Sequence, residues 1–250
     1  MVMKKILKIC RRFSELFLPR SFSRKLLGFY GLIKSPTKSY SQKGEDILID
    51  AFFERRSKGY YLDIGCYHPK WISNTHILHQ RGWHGTAIDI DQYKLELFKS
   101  LRKNSVNIMN KAIVGRPTKE SSVATVYRFR NRLGWSDIDT LDKKLADYKA
   151  KNGWGEYEIE EVSVLYINDL LATLPHVNFL NIDVEGLDDE IIKAIDLDKY
   201  KIDLILFEDN ANFGGSKSIK DKLKKNGYEH LFTSGGSVCF YLSSNAGSDL

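Results

Sequence analysis

A chain of 250 residues with 42% hydrophobic residues can bury a core and suits one α/β domain with an extension. Its three cysteines, Cys10, Cys66 and Cys239, are odd in number and far apart, which argues against a disulfide framework or a structural zinc site and fits a reducing, cytoplasmic compartment. The net charge of +6 is uneven: residues 1–38 hold ten Lys/Arg against Glu15 alone, +9, leaving 6 − 9 = −3 on the rest, so the body lacks the basic surface expected of a nucleic-acid binder.

Residues 3–18 read as an amphipathic helix. Ile6, Ile9, Phe13, Leu16 and Phe17 recur at helical spacing, Lys5, Lys8, Arg11 and Arg12 supply charge, and Pro19 ends the segment. Such a helix suits the inner face of an anionic membrane; the alternative is packing on the body or on a second subunit. No apolar run is long enough to span a bilayer. A Ser-rich connector over 20–40 sets an extension, 1–38, apart from a domain over 39–250.

Helix and strand then alternate. Gln42–Phe53 is predicted helical, Tyr60–Ile64 a strand, Asn74–Arg81 a helix, Gly85–Ile90 a strand, Tyr93–Asn104 a helix and Val106–Val114 a third strand. Residues 115–165 break the alternation and read as an insertion on the substrate side, containing a polar, aromatic run (Tyr127–Leu133), a charged helix (Leu141–Lys149) and Gly153-Trp154-Gly155. Asn178–Val184 and Ile202–Glu208 are the fourth and fifth strands, followed by helices over Asp188–Ile195 and Ser218–Asn226. Tyr228–Thr233 and Ser237–Leu242, joined by Ser234-Gly235-Gly236, read as a hairpin. The sum is a doubly wound α/β fold with a mostly parallel seven-stranded sheet closed by an antiparallel hairpin.

Chemistry gathers at strand ends. Asp63-Ile64-Gly65 ends the first strand with an acid and a glycine that lets a ligand approach the backbone. An acid there repels a pyrophosphate and suits a cationic amino-acid group. Asp89, with Asp91 as the alternative one strand period away, stands where a ribose would be bound; each could instead cap the next helix. Asp183 and Glu185 end the fourth strand, and Glu208-Asp209-Asn210 the fifth, a cluster suited to general-base chemistry or to a hard divalent cation. Asp188, Asp189 and Glu190 read as helix N-terminal charges only. His68, after the glycine turn, is a candidate base. Trp71, Trp135 and Trp154 are candidates for stacking on a sugar, with Trp135 preferred.

These stretches resemble the FkbM-type methyltransferases. The resemblance is carried by Ser41-Gln42-Lys43-Gly44-Glu45-Asp46, Asp63-Ile64-Gly65-Cys66-Tyr67-His68-Pro69, Ser73-Asn74-Thr75, Arg81-Gly82-Trp83-His84-Gly85 and Asn181-Ile182-Asp183-Val184-Glu185-Gly186. It implies a class I, Rossmann-like methyltransferase that moves a methyl group from S-adenosylmethionine to a hydroxyl of a sugar or natural product, here a glycan or glycolipid precursor in polysaccharide biosynthesis. It further implies cofactor contacts from Asp63, Gly65 and Asp89, with Gln42 and Glu45 nearby. Two features depart from the family's usual pattern: Tyr67-His68-Pro69 after the glycine, and Asp89-Ile90-Asp91 in place of Glu-Pro. A more distant similarity, to metal-dependent O-methyltransferases, rests on Asp183 and Asp209-Asn210 and implies a Mg²⁺ ion held by Asp183, Asp209 and Asn210. Two rival classes are a nicotinamide-dependent oxidoreductase, which would need a Gly-rich phosphate loop that is missing, and a non-catalytic binding protein that keeps the fold.

Overall fold

The computed structural model describes residues 39–116, 122–129, 136–209 and 217–243. The predicted 3–18 helix, the connector up to residue 38, Trp135 and Asn210 lie outside them. In chain order the elements begin with α1 (Glu45–Phe52), β1 (Tyr60–Ile64), α2 (His76–Gln80), β2 (His84–Asp89), α3 (Gln92–Arg102) and β3 (Val106–Asn110). They continue with β4 (Ala112–Val114), β5 (Val123–Phe129), α4 (Lys143–Lys151), β6 (Tyr157–Tyr166) and α5 (Ile167–Thr173). The last are β7 (Phe179–Ile182), α6 (Asp188–Ala194), β8 (Leu204–Glu208), α7 (Lys217–Lys225), β9 (Tyr228–Ser234) and β10 (Ser237–Leu242).

The main sheet has seven strands in the order β3-β2-β1-β7-β8-β10-β9, parallel except for β10, which runs antiparallel to both its neighbours. This is the sheet the resemblance implied. Its central strands are near-continuous apolar runs because both faces are covered. Strand alternation sends Leu62, Ile64, Leu180, Ile182, Ile205 and Phe207 into one core with Ile167, Leu170, Ile191, Ile192, Ile219 and Leu223 of α5, α6 and α7. It sends Tyr61, Phe179, Leu204 and Leu206 to the other face, against Ile49, Phe53, Leu78 and Trp83.

Two predicted elements differ. The single third strand divides at Lys111: Val106–Asn110 pairs with β2, whereas Ala112–Val114 leaves the sheet and pairs with β6. An apolar run carries the same period in either partnership, so its pattern holds no mark of the exchange. The described part of the insertion joins β4 in a small sheet β4-β6-β5, with α4 between the antiparallel strands β5 and β6 in the chain. β6 reads Tyr-Glu-Ile-Glu-Glu-Val-Ser-Val-Leu-Tyr, and its acids lower its β propensity. Packing and cross-strand pairs such as Arg128 Nε to Glu160 Oε2 (2.6 Å) override that weakness. The helix α5, which follows directly, had no counterpart in the predicted elements.

Candidate active site

The carboxyl ends of β1, β2, β7 and β8 finish level with one another, because Ile64 is paired with Ile88 and Ile182, and Ile182 with Phe207. The residues that follow these pairs therefore meet at one edge. A cleft of about 380 Å³ opens there, lined by Gln42, Glu45, Asp63, Gly65, Asp89, Asp183, Glu185 and Glu208 among others. Ligands of doubly wound sheets bind at this edge.

Gly65 has φ +80, and a Cβ there would lie 1.8 Å from the Asp183 carbonyl oxygen, so the turn after β1 requires glycine. Its N–H donates to the Ile88 carbonyl at 2.8 Å. Asp63 is buried and accepts from Thr75 Oγ1 (2.6 Å) and Asn181 Nδ2 (2.9 Å). Burial raises its carboxyl above the ordinary range, opposed by the Thr75 hydrogen bond and the nearby Arg102 charge. Arg102, itself 2% exposed, donates to Pro69 O, Tyr61 Oη, Thr75 Oγ1 and Ser73 Oγ, and so braces the loop around Asp63.

Asp89 lines the cleft with a buried carboxylate that accepts from Asp91 N at 2.8 Å and stands 3.5 Å from Lys94 Nζ. Burial raises its pKa and the Lys94 charge opposes this; Lys94 in turn is held charged by Asp89 against its own burial. Asp91, the alternative ribose ligand, is instead the N-cap of α3, accepting from Tyr93 N at 2.8 Å, and lies outside the cleft lining. Gln42 and Glu45 reach the cleft from the start of α1. That start is latched by buried Asp46, which accepts from Ser39 Oγ, Tyr40 N and Ser41 Oγ at 2.7–2.8 Å.

The floor of the cleft is acidic. Carboxylate oxygens of Asp183, Glu185 and Glu208 lie within 4.8 Å of one another. Asp183 is open to the cleft but walled by protein on its other sides, and burial followed by the charges of Asp188, Glu185 and Glu208 pushes its carboxyl well above the carboxylate range. Glu185 has φ +54 and accepts from Lys149 Nζ at 2.7 Å; burial raises its pKa and Lys149 opposes this. Asp188, 2% exposed, has no hydrogen bond of normal geometry to either carboxylate oxygen, and burial pushes it up to about 7, although the backbone amides of Val184 and Glu208 lie close enough to offset part of this.

Three predicted roles are corrected. His68 is fully buried, its Nδ1 accepts from the Lys70 and Trp71 amides at 3.1 and 2.9 Å, and it does not line the cleft, so it is a turn residue and not a base. Asp209 Oδ2 accepts from Lys220 Nζ at 2.6 Å and Asn210 lies outside the described residues; among the described residues the acids gathered with Asp183 are Glu185 and Glu208, not Asp209. Asp188 is more than a helix-end charge, since it sits buried behind that trio. Lys94 and Lys149, which hold Asp89 and Glu185, are missed by the sequence reading: Lys94 follows its acid on the next helix, whereas Lys149 stands on a helix far ahead of Glu185 in the chain and carries no local signal.

The insertion supplies the opposite wall through Asp137, Ile138, Asp139, Leu141, Lys149 and Trp154. It is fastened to the sheet edge by Thr140 Oγ1, which donates to Glu185 O at 2.7 Å, and by Arg128, which bonds Asp139, Glu160 and the Ile90 carbonyl.

Residues 63–230 match the family described as the methyltransferase FkbM domain. No curated protein matches the chain. Among solved structures, a TehB-like SAM-dependent methyltransferase from Corynebacterium glutamicum is 10% identical with a TM-score of 0.46, covering 90% of this chain and 100% of its own. An O-methyltransferase from Bacillus cereus in complex with SAH is 10% identical with a TM-score of 0.42, over 94% of this chain and 97% of its own. A SAM-dependent methyltransferase from Aquifex aeolicus is 8% identical with a TM-score of 0.42, over 91% and 100%.

Proposed function

This chain belongs to the FkbM methyltransferase family, and we propose that it methylates a sugar hydroxyl in a glycan or glycolipid precursor. Dependence on S-adenosylmethionine follows from the family. When bound, that cofactor supplies a methyl carbon activated by a sulfonium, together with a cationic ammonium. The donor set of the cleft fits it. Asp63, Asp89, Asp183, Glu185 and Glu208 face the space, while each of the three lysines among the lining residues is already engaged: Lys94 by Asp89, Lys149 by Glu185 and Lys111 by Ser163 Oγ at 2.9 Å. A pyrophosphate would meet carboxylates with no uncommitted lysine, which disfavours the oxidoreductase reading; a ligand of net positive charge, with a sulfonium and an ammonium against one carboxylate, is attracted. Asp63 and the Gly65 turn would hold the amino-acid end and Asp89 the ribose, with Gln42 and Glu45 closing the side.

The observation that carries the reading is the acidic floor beside the Gly65 turn. Asp183 is open to the cleft, and its raised pKa makes it a stronger proton acceptor than an ordinary carboxylate. It takes the proton of the acceptor hydroxyl, while Glu185, fixed by Lys149, accepts a neighbouring hydroxyl and orients the ring. A Mg²⁺-assisted version is the second reading, favoured by the same oxygen trio. The basic segment 3–18 would bring the enzyme to a membrane carrying lipid-linked acceptors.

Methyl-labelled S-adenosylmethionine offered with a panel of methyl glycosides and lipid-linked oligosaccharides tests this. The expected products are alkali-stable methyl ethers, formed equally well with EDTA present. Asp183→Asn is expected to lower kcat by about 10²–10⁴. Label found only on amines, or on none of the panel, would contradict the acceptor assignment, and loss of turnover in EDTA would favour the metal version.

A further inference from the structure

We propose that Trp154 is the acceptor platform of this cleft, its indole stacking on the apolar face of a pyranose ring. The inference rests on the sugar reading above and assigns it a place. Trp154 is 58% exposed, yet it lines the same cleft as Asp183 and Glu185. A large indole left open to solvent at a cleft mouth is a surface for a ligand more than a piece of core.

Its backbone is held in place. Gly153 (φ +81) and Gly155 (φ +109) turn the chain on either side of it. The Trp154 N–H donates to the Lys149 carbonyl at 3.1 Å. The Lys149 side chain runs the other way, donating from Nζ to Glu185 Oε2 at 2.7 Å and to Ile138 O at 3.1 Å. One buried lysine thus ties the aromatic rim to the acidic floor, and the spacing between them is set by α4 and not by a free loop.

The chemistry selects the ligand. A pyranose carries C–H bonds on one face and hydroxyls around its edge. The electron-rich face of an indole attracts the first, and the carboxylates accept from the second. A nucleobase also stacks on tryptophan, but the phosphate of a nucleotide would stand among Asp137, Asp183, Glu185 and Glu208 with Lys149 already engaged. A neutral or amino pyranose meets neither objection.

The test uses the full chain labelled with 5-fluorotryptophan and saturated with S-adenosylhomocysteine. The Trp154 fluorine signal is assigned among the four tryptophans with Trp154→Phe. Methyl pyranosides are titrated, with sorbitol as a polyol that has no ring face. The Trp154 signal is expected to move saturably with a pyranoside and not with sorbitol. Trp154→Ala should weaken pyranoside binding and raise the acceptor KM at least about tenfold, with cofactor affinity unchanged, and Trp154→Phe should restore most of the loss. If pyranosides bind or are methylated while the Trp154 signal stays still and Trp154→Ala leaves KM unchanged, the platform is wrong and the sugar reading stands. If no pyranoside binds or is methylated, both fail. A Trp154 signal that moves only with protein concentration would assign the indole to contact between copies and overturn the proposal.

Discussion

Asp188 carries an electrostatic cost that its neighbours do not remove. Burial pushes the Asp188 carboxyl up to about 7 in the folded protein, against 3.8 in an unfolded chain. Across that window the folded state binds more protons than the unfolded one, so stability is full at the acid end and falls as pH rises toward the folded pKa. The span corresponds to roughly 4 kcal/mol at about 1.4 kcal/mol per unit. Asp188→Asn keeps the shape and removes the charge. Urea unfolding of the cofactor-free protein should show the variant more stable than the parent at about pH 8, with a shallower decline above about pH 5, the remainder belonging to the other raised carboxyls, Asp63, Asp89, Asp183 and Glu185; a variant less stable at the higher pH would contradict this. Asp63, Gly65, Asp89, Asp183 and Glu185 were legible because strand-end acids and a turn glycine follow from local sequence alone. His68 was misread because a histidine beside a glycine turn looks the same whether its ring faces the cleft or caps its own loop. Lys94 and Lys149 were invisible because a buried lysine cannot be told from a surface one until its carboxylate partner is placed in space.

At the scale of elements, the main sheet and the charged helix of the insertion, predicted over Leu141–Lys149 and found as α4, were readable; the insertion's strands were not. The central strands are apolar on both faces and bounded by acids and glycines, so pattern and position agree. β4, β5 and β6 are held by long-range pairs that no local period announces, chiefly through Arg128, whose side chain is 13% exposed and bridges Asp139, Glu160 and the Ile90 carbonyl. Arg128→Ala would leave Asp139 buried without that partner, a loss of about 3–5 kcal/mol for a broken buried pair. It should therefore loosen residues 136–142 against the sheet. Hydrogen exchange is expected to speed there first, with acceptor turnover falling more than cofactor affinity. Uniform exchange, or loss of cofactor binding alone, would show that the insertion is anchored elsewhere.

For the whole molecule, charge divides the chain into a basic extension of +9 and a body of −3. No helix among the described residues is long and apolar enough to cross a membrane; the basic segment is proposed to lie on an anionic membrane surface. Changing Lys4, Lys5, Lys8, Arg11 and Arg12 to Glu should abolish sedimentation with anionic liposomes, since each basic side chain contributes about 1 kcal/mol near such a surface. Methyl transfer to a soluble glycoside should be unaffected; unchanged sedimentation would end the membrane reading without touching the chemistry.

The central claim is that an acidic cleft at the carboxyl edge of the sheet holds S-adenosylmethionine, and calorimetric titration tests it most directly. The full chain should bind S-adenosylmethionine with one site and fail to bind NAD, and Asp89→Asn, shown to be folded by circular dichroism, should bind at least about tenfold more weakly because a carboxylate's hydrogen bonds to two hydroxyls are lost. A folded wild-type protein that binds NAD, or that binds S-adenosylmethionine as tightly after the substitution, would contradict the account.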